Sequence, residues 1–372
     1  MSEQTTDPTR VPGAPHPRDT VQLIGQGTAE AAFLDAFTTG RLHHAWLITG
    51  PRGIGKATLA WRIARFLLAT PDPDPDDMFG VPLPTTLDVD PDHPVAHRIA
   101  AGAEPGLKSV HRTENEKTKR LRDQITIDDI RAMAGFFQLS ATDGGRRVVI
   151  IDAADEMNAN AANALLKMLE EPPDRTTLLL ICHQPSRLLP TIRSRCRTLR
   201  LSTLSADDTA RAMAQAGVEP SAQSAALAEL SAGSVGDALR LSLLDGLKIY
   251  SEIVALLGSM PNLDRPRALA LAEAAGQRGA EARLDLLYTL IDIALTRLAR
   301  TGATGHPPQV EAAANEAAIF SRLARTQGQA RAWADTAQTA LARARHGRAV
   351  NLDPAALVLD TLFKLQDTAA TR

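Results

Sequence analysis

Cysteine is nearly absent from this 372-residue chain: Cys182 and Cys196 are the only two. Two thiols cannot build a disulfide framework or a four-thiolate zinc site, and they suit a reducing, cytoplasmic setting. Aromatic residues are scarce, at 3%, so the cores must be filled by aliphatic side chains. No stretch approaches the roughly 18 apolar residues that a spanning helix requires. The opening segment, with Pro8, Pro12, Pro15 and Pro17, has no apolar run that could act as a signal peptide or anchor. Charge of one sign is also lacking. A net charge of −2 leaves no protein-wide basic field, so any contact with DNA must be local or shared with partners.

What is abundant is Ala and Leu, the residues that lose least side-chain entropy in a helix. The length calls for two or three domains. Residues 1–20 read as a disordered arm. An Ala/Phe/Leu pattern from Thr28 to Phe37 predicts a helix, and Ala45 to Thr49 is an apolar run of the kind found in buried parallel strands. Ala57 to Leu68 reads as a helix with Leu59, Ile63, Phe66 and Leu67 on one face. Residues 70–94, rich in Pro and Asp, read as a poorly ordered insert. Ile127 to Leu139 has helical spacing, Arg147 to Asp152 is a buried strand ending on a carboxylate, and Ala161 to Glu171 is a helix stopped by Pro172 and Pro173. Thr177 to Cys182 is a further strand, and Thr198 to Leu201 an edge or closing strand. Strands alternating with helices predict a parallel sheet flanked by helices. After Ser202 the strand signals stop. A small helical unit spans 202–244, and an all-helical region spans 245–372.

Chemistry concentrates in two places. Gly50-Pro-Arg-Gly-Ile-Gly55-Lys56-Ala57 follows a strand and opens a helix, the context of a P-loop. Gly50, Gly53 and Gly55 would let backbone N–H groups curl around phosphates, and Lys56 would reach their outer oxygens. The same spacing also suits a tight strand-to-helix turn that holds no nucleotide. Where a hydroxyl should hold Mg²⁺ the chain has Ala57, and Thr58 points about 100° round the helix. Asp152 stands where a P-loop ATPase orients its metal, but Ala153 replaces the water-activating Glu. Asp155 and Glu156 are expected to face solvent or cap the next helix. Loss of a general base costs about 10²- to 10⁴-fold, so hydrolysis at this site is not expected.

Asn163-Ala-Leu-Leu-Lys-Met-Leu-Glu-Glu-Pro-Pro173, followed by Leu188-Leu-Pro-Thr-Ile-Arg-Ser194-Arg195-Cys196, resembles the clamp-loader family of AAA+ proteins. His43-His-Ala-Trp-Leu-Ile-Thr-Gly50 and Gly233-Ser-Val-Gly-Asp-Ala-Leu239 resemble the same family, over about Val21 to Leu244. The resemblance implies an α/β AAA+ P-loop domain over 21–201, a small helical lid over 202–244 and an all-α collar domain over 245–372. It further implies a subunit of the DNA polymerase III clamp loader. Its partners would be gamma/tau and delta subunits, a sliding clamp, and primed DNA reached through the complex. Ala57, Ala153, Cys182-His183 at the γ-phosphate-sensing strand end and Gly236 at the lid arginine position are departures. They resemble a non-hydrolysing stator member and not a motor subunit. At most, ATP would be held without hydrolysis, with Mg²⁺ not productively bound; some members carry a four-cysteine zinc knuckle where this chain has its Pro/Asp-rich stretch, and with no cysteine there no zinc is expected. Arg195 resembles the family's arginine finger acting in trans, though Arg187, Arg193, Arg197 and Arg200 also make it part of a basic face.

The remaining candidates have plainer readings. Lys117, Lys119, Arg120 and Arg122 could meet DNA phosphates but are interleaved with Glu114, Glu116 and Asp123, the mark of a solvated charged loop. His93 and His97 lack a third ligand and read as surface histidines. Asp72, Asp74, Asp76 and Asp77 read as a linker, without the Gly and closing Glu of a calcium loop.

Overall fold

The computed structural model describes residues 8–20, 22–71, 82–115, 118, 121–138, 145–219, 221, 223–277 and 279–371. The chain divides into two compact units, residues 1–218 with 233–236, and residues 219–232 with 237–372. The expected lid, 202–244, is shared between them in sequence.

The first unit is built on a parallel sheet of five strands: β1 (Ala45–Thr49), β2 (Leu107–His111), β3 (Arg147–Asp152), β4 (Thr176–Cys182) and β5 (Arg197–Arg200). Their order is β2-β3-β4-β1-β5, with Ala45 opposite Leu178 and Val149 also opposite Leu178. Side chains alternate across a strand, and both faces are covered, which is why the central strands read as unbroken apolar runs. Trp46, Ile48, Val148, Ile150, Leu179 and Ile181 meet one cluster. That cluster includes residues of α1 (Gly27–Thr38), α2 (Lys56–Ala69) and α3 (Pro94–Ala100). Ala45, Leu47, Val149, Ile151, Leu178, Leu180 and Cys182 meet the other, with α4 (Ile127–Gln138), α5 (Ala159–Glu170) and α6 (Pro190–Arg193). The last helix of the unit, α7 (Ala206–Gln215), is N-capped by Ser205, whose hydroxyl accepts from Asp208 N at 3.1 Å.

The arm reading of residues 1–20 is corrected from Pro8 onward. A 3₁₀ turn forms over Pro17–Asp19, His16 is buried, and its ring meets that of Trp61 edge-on at 5.6 Å. This segment lies on α2, so Arg65 is buried and donates to the Arg18 carbonyl at 2.5 Å. Arg62 is buried as well, donating to Glu30 at 2.7 Å and Asp88 at 3.0 Å. The insert 70–94 is described outside 72–81, and Asp88 gives it a packed role. The carboxylates Asp72, Asp74, Asp76 and Asp77 lie outside the described residues, as do Lys117, Lys119 and Arg120.

The second unit is helical: α8 (Ser224–Leu230), α9 (Val235–Leu243), α10 (Gly246–Ser259), α11 (Arg265–Gly276), α12 (Glu281–Thr304), α13 (Glu316–Leu323), α14 (Gln327–Ala349) and α15 (Pro354–Ala370). Among the described residues its core holds one fully buried carboxylate, Glu316. Glu316 accepts from the Tyr250 hydroxyl at 2.6 Å, Arg297 Nε at 2.7 Å and Ala312 N at 2.7 Å. Arg297 also donates to Glu229 of α8 at 2.7 Å. A buried charge is tolerated when paired and fully hydrogen-bonded in this way. Among the described residues no helix is long and apolar enough to cross a membrane.

Candidate functional site

The P-loop has the shape its spacing predicts. Gly50, Gly53 and Gly55 take φ values of 144°, 73° and 98°, and Gly55 is the N-cap of α2. Only glycine enters this left-handed region without strain. Space is equally decisive. A Cβ on Gly53 would lie 2.2 Å from Ser234 Oγ and 2.9 Å from Gly236 N, and Gly236 N donates to the Gly53 carbonyl at 3.1 Å. Gly236, at the lid arginine position, thus packs its backbone directly on the loop.

Lys56 is buried and turned inward. Its Nζ donates to the Gly50 carbonyl at 2.7 Å and to the Pro51 carbonyl. Burial pushes its pKa down to about 8, partly opposed by Asp152 and Asp155. Ala57 follows with no oxygen, and Thr58 is only half-buried in the first turn of α2.

Beside the loop, β3 ends at Asp152. The expectation that Asp155 and Glu156 face solvent or cap the next helix is corrected. Asp155 turns back to accept from His183 N at 2.9 Å and Gln184 N at 3.0 Å, closing the end of β4. Glu156 accepts from Arg52 of the P-loop at 2.5 Å and from Arg112 at 2.8 Å. The cap of α5 is instead Asn158, whose side chain accepts from Ala161 N at 2.8 Å. These contacts occupy both carboxylates, and Ala57 and Ala153 supply no side-chain oxygen. Magnesium prefers an octahedral oxygen shell built on one or two carboxylates; at this position Asp152 supplies one carboxylate and Ala57 adds no hydroxyl. Cys182 is fully buried, and desolvation raises its thiol to about 12, so it stays neutral. Burial, then Lys56 and Arg52, lower His183 to about 4, leaving a neutral imidazole near physiological pH.

Arg195 lies at the other end of the sheet, in the turn between α6 and β5. Its Nη1 donates to the Thr191 carbonyl at 3.0 Å and its Nη2 pairs with Glu170 at 2.8 Å. The side chain is 36% exposed. Cys196, next to it, is partly buried, and desolvation raises its thiol to about 12.

The family model described as "DNA polymerase III, delta subunit" matches residues 25–205. The chain is 43% identical over 153 residues to DNA polymerase III subunit delta' of Pseudomonas aeruginosa, a match covering 41% of each chain. It is 34% identical over 266 residues to the delta' subunit of Escherichia coli, covering 70% of this chain and 72% of that one. The chain belongs to the DNA polymerase III delta' family. A match to the Escherichia coli tau subunit, 28% identical over 288 residues, covers 73% of this chain and 40% of tau. The matched stretches therefore span about two fifths of the Pseudomonas delta' and tau chains.

Within this delta'-family chain, the structure brings Gly50, Gly53, Gly55, Lys56, Ala57, Thr58 and Asp152 to one end of the sheet and sets Arg195 at the other. His93 N-caps α3, its Nδ1 accepting from Val95 N at 3.2 Å, and His97 is exposed beside Asp92. Arg122 donates to Thr113 Oγ1 at 3.2 Å. Sequence reasoning missed the pairing roles of Arg52 and Glu170 and misplaced Glu156, because their partners are distant along the chain. The signal that could have found Glu170 is its place in the same motif pair as Arg195.

Proposed function

We propose that this chain is a non-hydrolysing subunit of the DNA polymerase III clamp loader, assisting in placing a sliding clamp on primed DNA. Its partners in this reading are gamma/tau and delta subunits, and Arg195 serves a neighbouring ATPase as an arginine finger. The observation that carries the proposal is Lys56, whose ammonium is bonded to its own loop's carbonyls next to Ala57. Held there, the ammonium points into its own loop, and Ala57 offers no hydroxyl to a metal ion. Family membership supports the loader role. The partly exposed guanidinium of Arg195, held by a surface pair with Glu170, supports the finger, since a planar, permanently charged fork suits a phosphoryl group.

A second reading, ATP held as a switch without hydrolysis, is favoured by the positive-φ glycines at the start of α2. Calorimetric titration of ATP into the full chain, with and without Mg²⁺, separates the two. The stator reading expects no heat of binding at micromolar protein. Binding that does not depend on Mg²⁺, without turnover, would establish the switch, and Mg²⁺-dependent binding with phosphate release would overturn both.

A further inference from the structure

Two stretches singled out in the sequence, 163–173 and 188–196, meet through one ion pair. Glu170 is the last residue of α5, and Arg195 stands in the turn between α6 and β5. Both positions are anchored from beneath. Leu169, beside Glu170, is buried in the same cluster as Ile192 of α6, and the His44 Nε2 donates to the Leu169 carbonyl at 3.0 Å. Arg195 N donates to the Ile192 carbonyl at 3.1 Å, closing the turn that carries the guanidinium.

The charges are placed with a purpose the helix alone does not explain. A carboxylate in the last turn meets the negative end of the helix dipole, so Glu170 gains nothing from α5 itself. Arg195 supplies the cation for that end. Its Nη2 pairs with Glu170 at 2.8 Å while its Nη1 donates to the Thr191 carbonyl at 3.0 Å. Two fixed points set the plane of the guanidinium. Among the described residues no other group bonds it, so Nε–H and the second N–H of each terminal nitrogen stay open on a side chain 36% exposed. An unheld arginine loses its rotamer freedom on meeting a phosphoryl group, whereas one already aligned has lost it beforehand. The pair lies at the surface and is weak, so it orients the guanidinium without holding it back.

We infer that Glu170 is a positioning residue for Arg195, aligning its open donors for a phosphoryl group on a neighbouring subunit. The inference rests on the reading of Arg195 as an arginine finger. Glu170 itself touches no nucleotide in this account and acts only through the guanidinium.

The test is ATP turnover of the assembled loader, driven by clamp and primed DNA, in wild type, Glu170→Ala, Glu170→Gln, Arg195→Ala and the double alanine variant. Glu170→Ala should lower kcat about three- to fivefold, the scale of one ordered side chain, with KM for ATP unchanged. Glu170→Gln should recover most of that loss, because its amide oxygen still accepts from Nη2. The double variant should be no slower than Arg195→Ala alone, since the two residues act as one unit. A rate at or above wild type in Glu170→Ala, with Arg195→Ala still slow, would make Glu170 a competitor for the guanidinium and overturn the inference. So would a further fall in the double variant, or no recovery with glutamine, either of which would mark a structural role. An unchanged rate in Arg195→Ala would instead remove the finger reading, and this inference with it.

Discussion

At the end of the sheet where the strands finish, the chain answers its own charges. Lys56 is bonded to loop carbonyls, Arg52 and Arg112 to Glu156, and Asp155 to the backbone beyond β4. At the end where the strands begin, Arg146 and Arg175 line one cavity with His43 and His44, and Arg195 lies half-exposed on the surface pair with Glu170. A surface pair of this kind is worth only about 0–1 kcal/mol, so Arg195 is easily drawn to a stronger anion. The contrast lies in where the charge is answered. The P-loop is packed against Gly236 and holds Lys56 within its own carbonyls, while Arg195 is tied at the opposite edge by a surface pair.

The sharpest way to break this comparison is Gly53→Val. If the loop is a packing element, a branched side chain at φ 73°, within 2.2 Å of Ser234 Oγ, must displace the Ser234–Gly236 backbone. Overpacking and strain together should cost about 3 kcal/mol or more, read as a lower urea midpoint. A change under about 1 kcal/mol would mean that the loop is free to move.

The next effect concerns Lys56. Its folded pKa is depressed, so up to about pH 8 it is charged in both the folded and unfolded states and its burial is unfavourable throughout. Between about pH 8 and the unperturbed value near 10.4, the unfolded chain binds more protons, and stability attributable to this group rises with pH. Relative to Lys56→Met, the wild type should therefore gain on the order of 1–2 kcal/mol between pH 7 and 9.5 by urea unfolding. A flat difference would place the ammonium in solvent.

At the opposite rim the glycine argument reverses. Arg175→Gly relieves a left-handed residue at φ 54°. Part of the roughly 1–2 kcal/mol strain is offset by the greater freedom of glycine in the unfolded chain. A net gain of about 0.5 kcal/mol is expected by thermal or urea unfolding. A loss would show that the Arg175 side chain holds the native rim together.

Much of the first unit could be read directly. β1, β3 and β4 are unbroken apolar runs because both faces of each strand are covered, and the P-loop is a local spacing. β2 was not legible. Leu107-Lys-Ser-Val-His111 has only Val110 buried and becomes a strand through its pairing with β3. The arm was misread because four prolines resemble disorder, whereas His16 and Ala14 are buried. That covering is also why Arg62 and Arg65, on what reads as the polar side of α2, are buried. In the site, the identity of each residue was legible but its partner was not. Asp155 meets a backbone 28 residues away, and Arg52 meets Glu156 across 104. Those pairings depend on strand order, which no local pattern carries.

The central claim, that the chain acts on a neighbour through Arg195 and not through its own P-loop, is tested most directly in the assembled loader. ATP turnover driven by clamp and primed DNA would be compared between wild type and Arg195→Ala, with assembly verified by size exclusion. The account predicts a fall of about tenfold or more with the complex intact, given that such fingers contribute about 10³- to 10⁵-fold. An unchanged rate in an intact complex would contradict it.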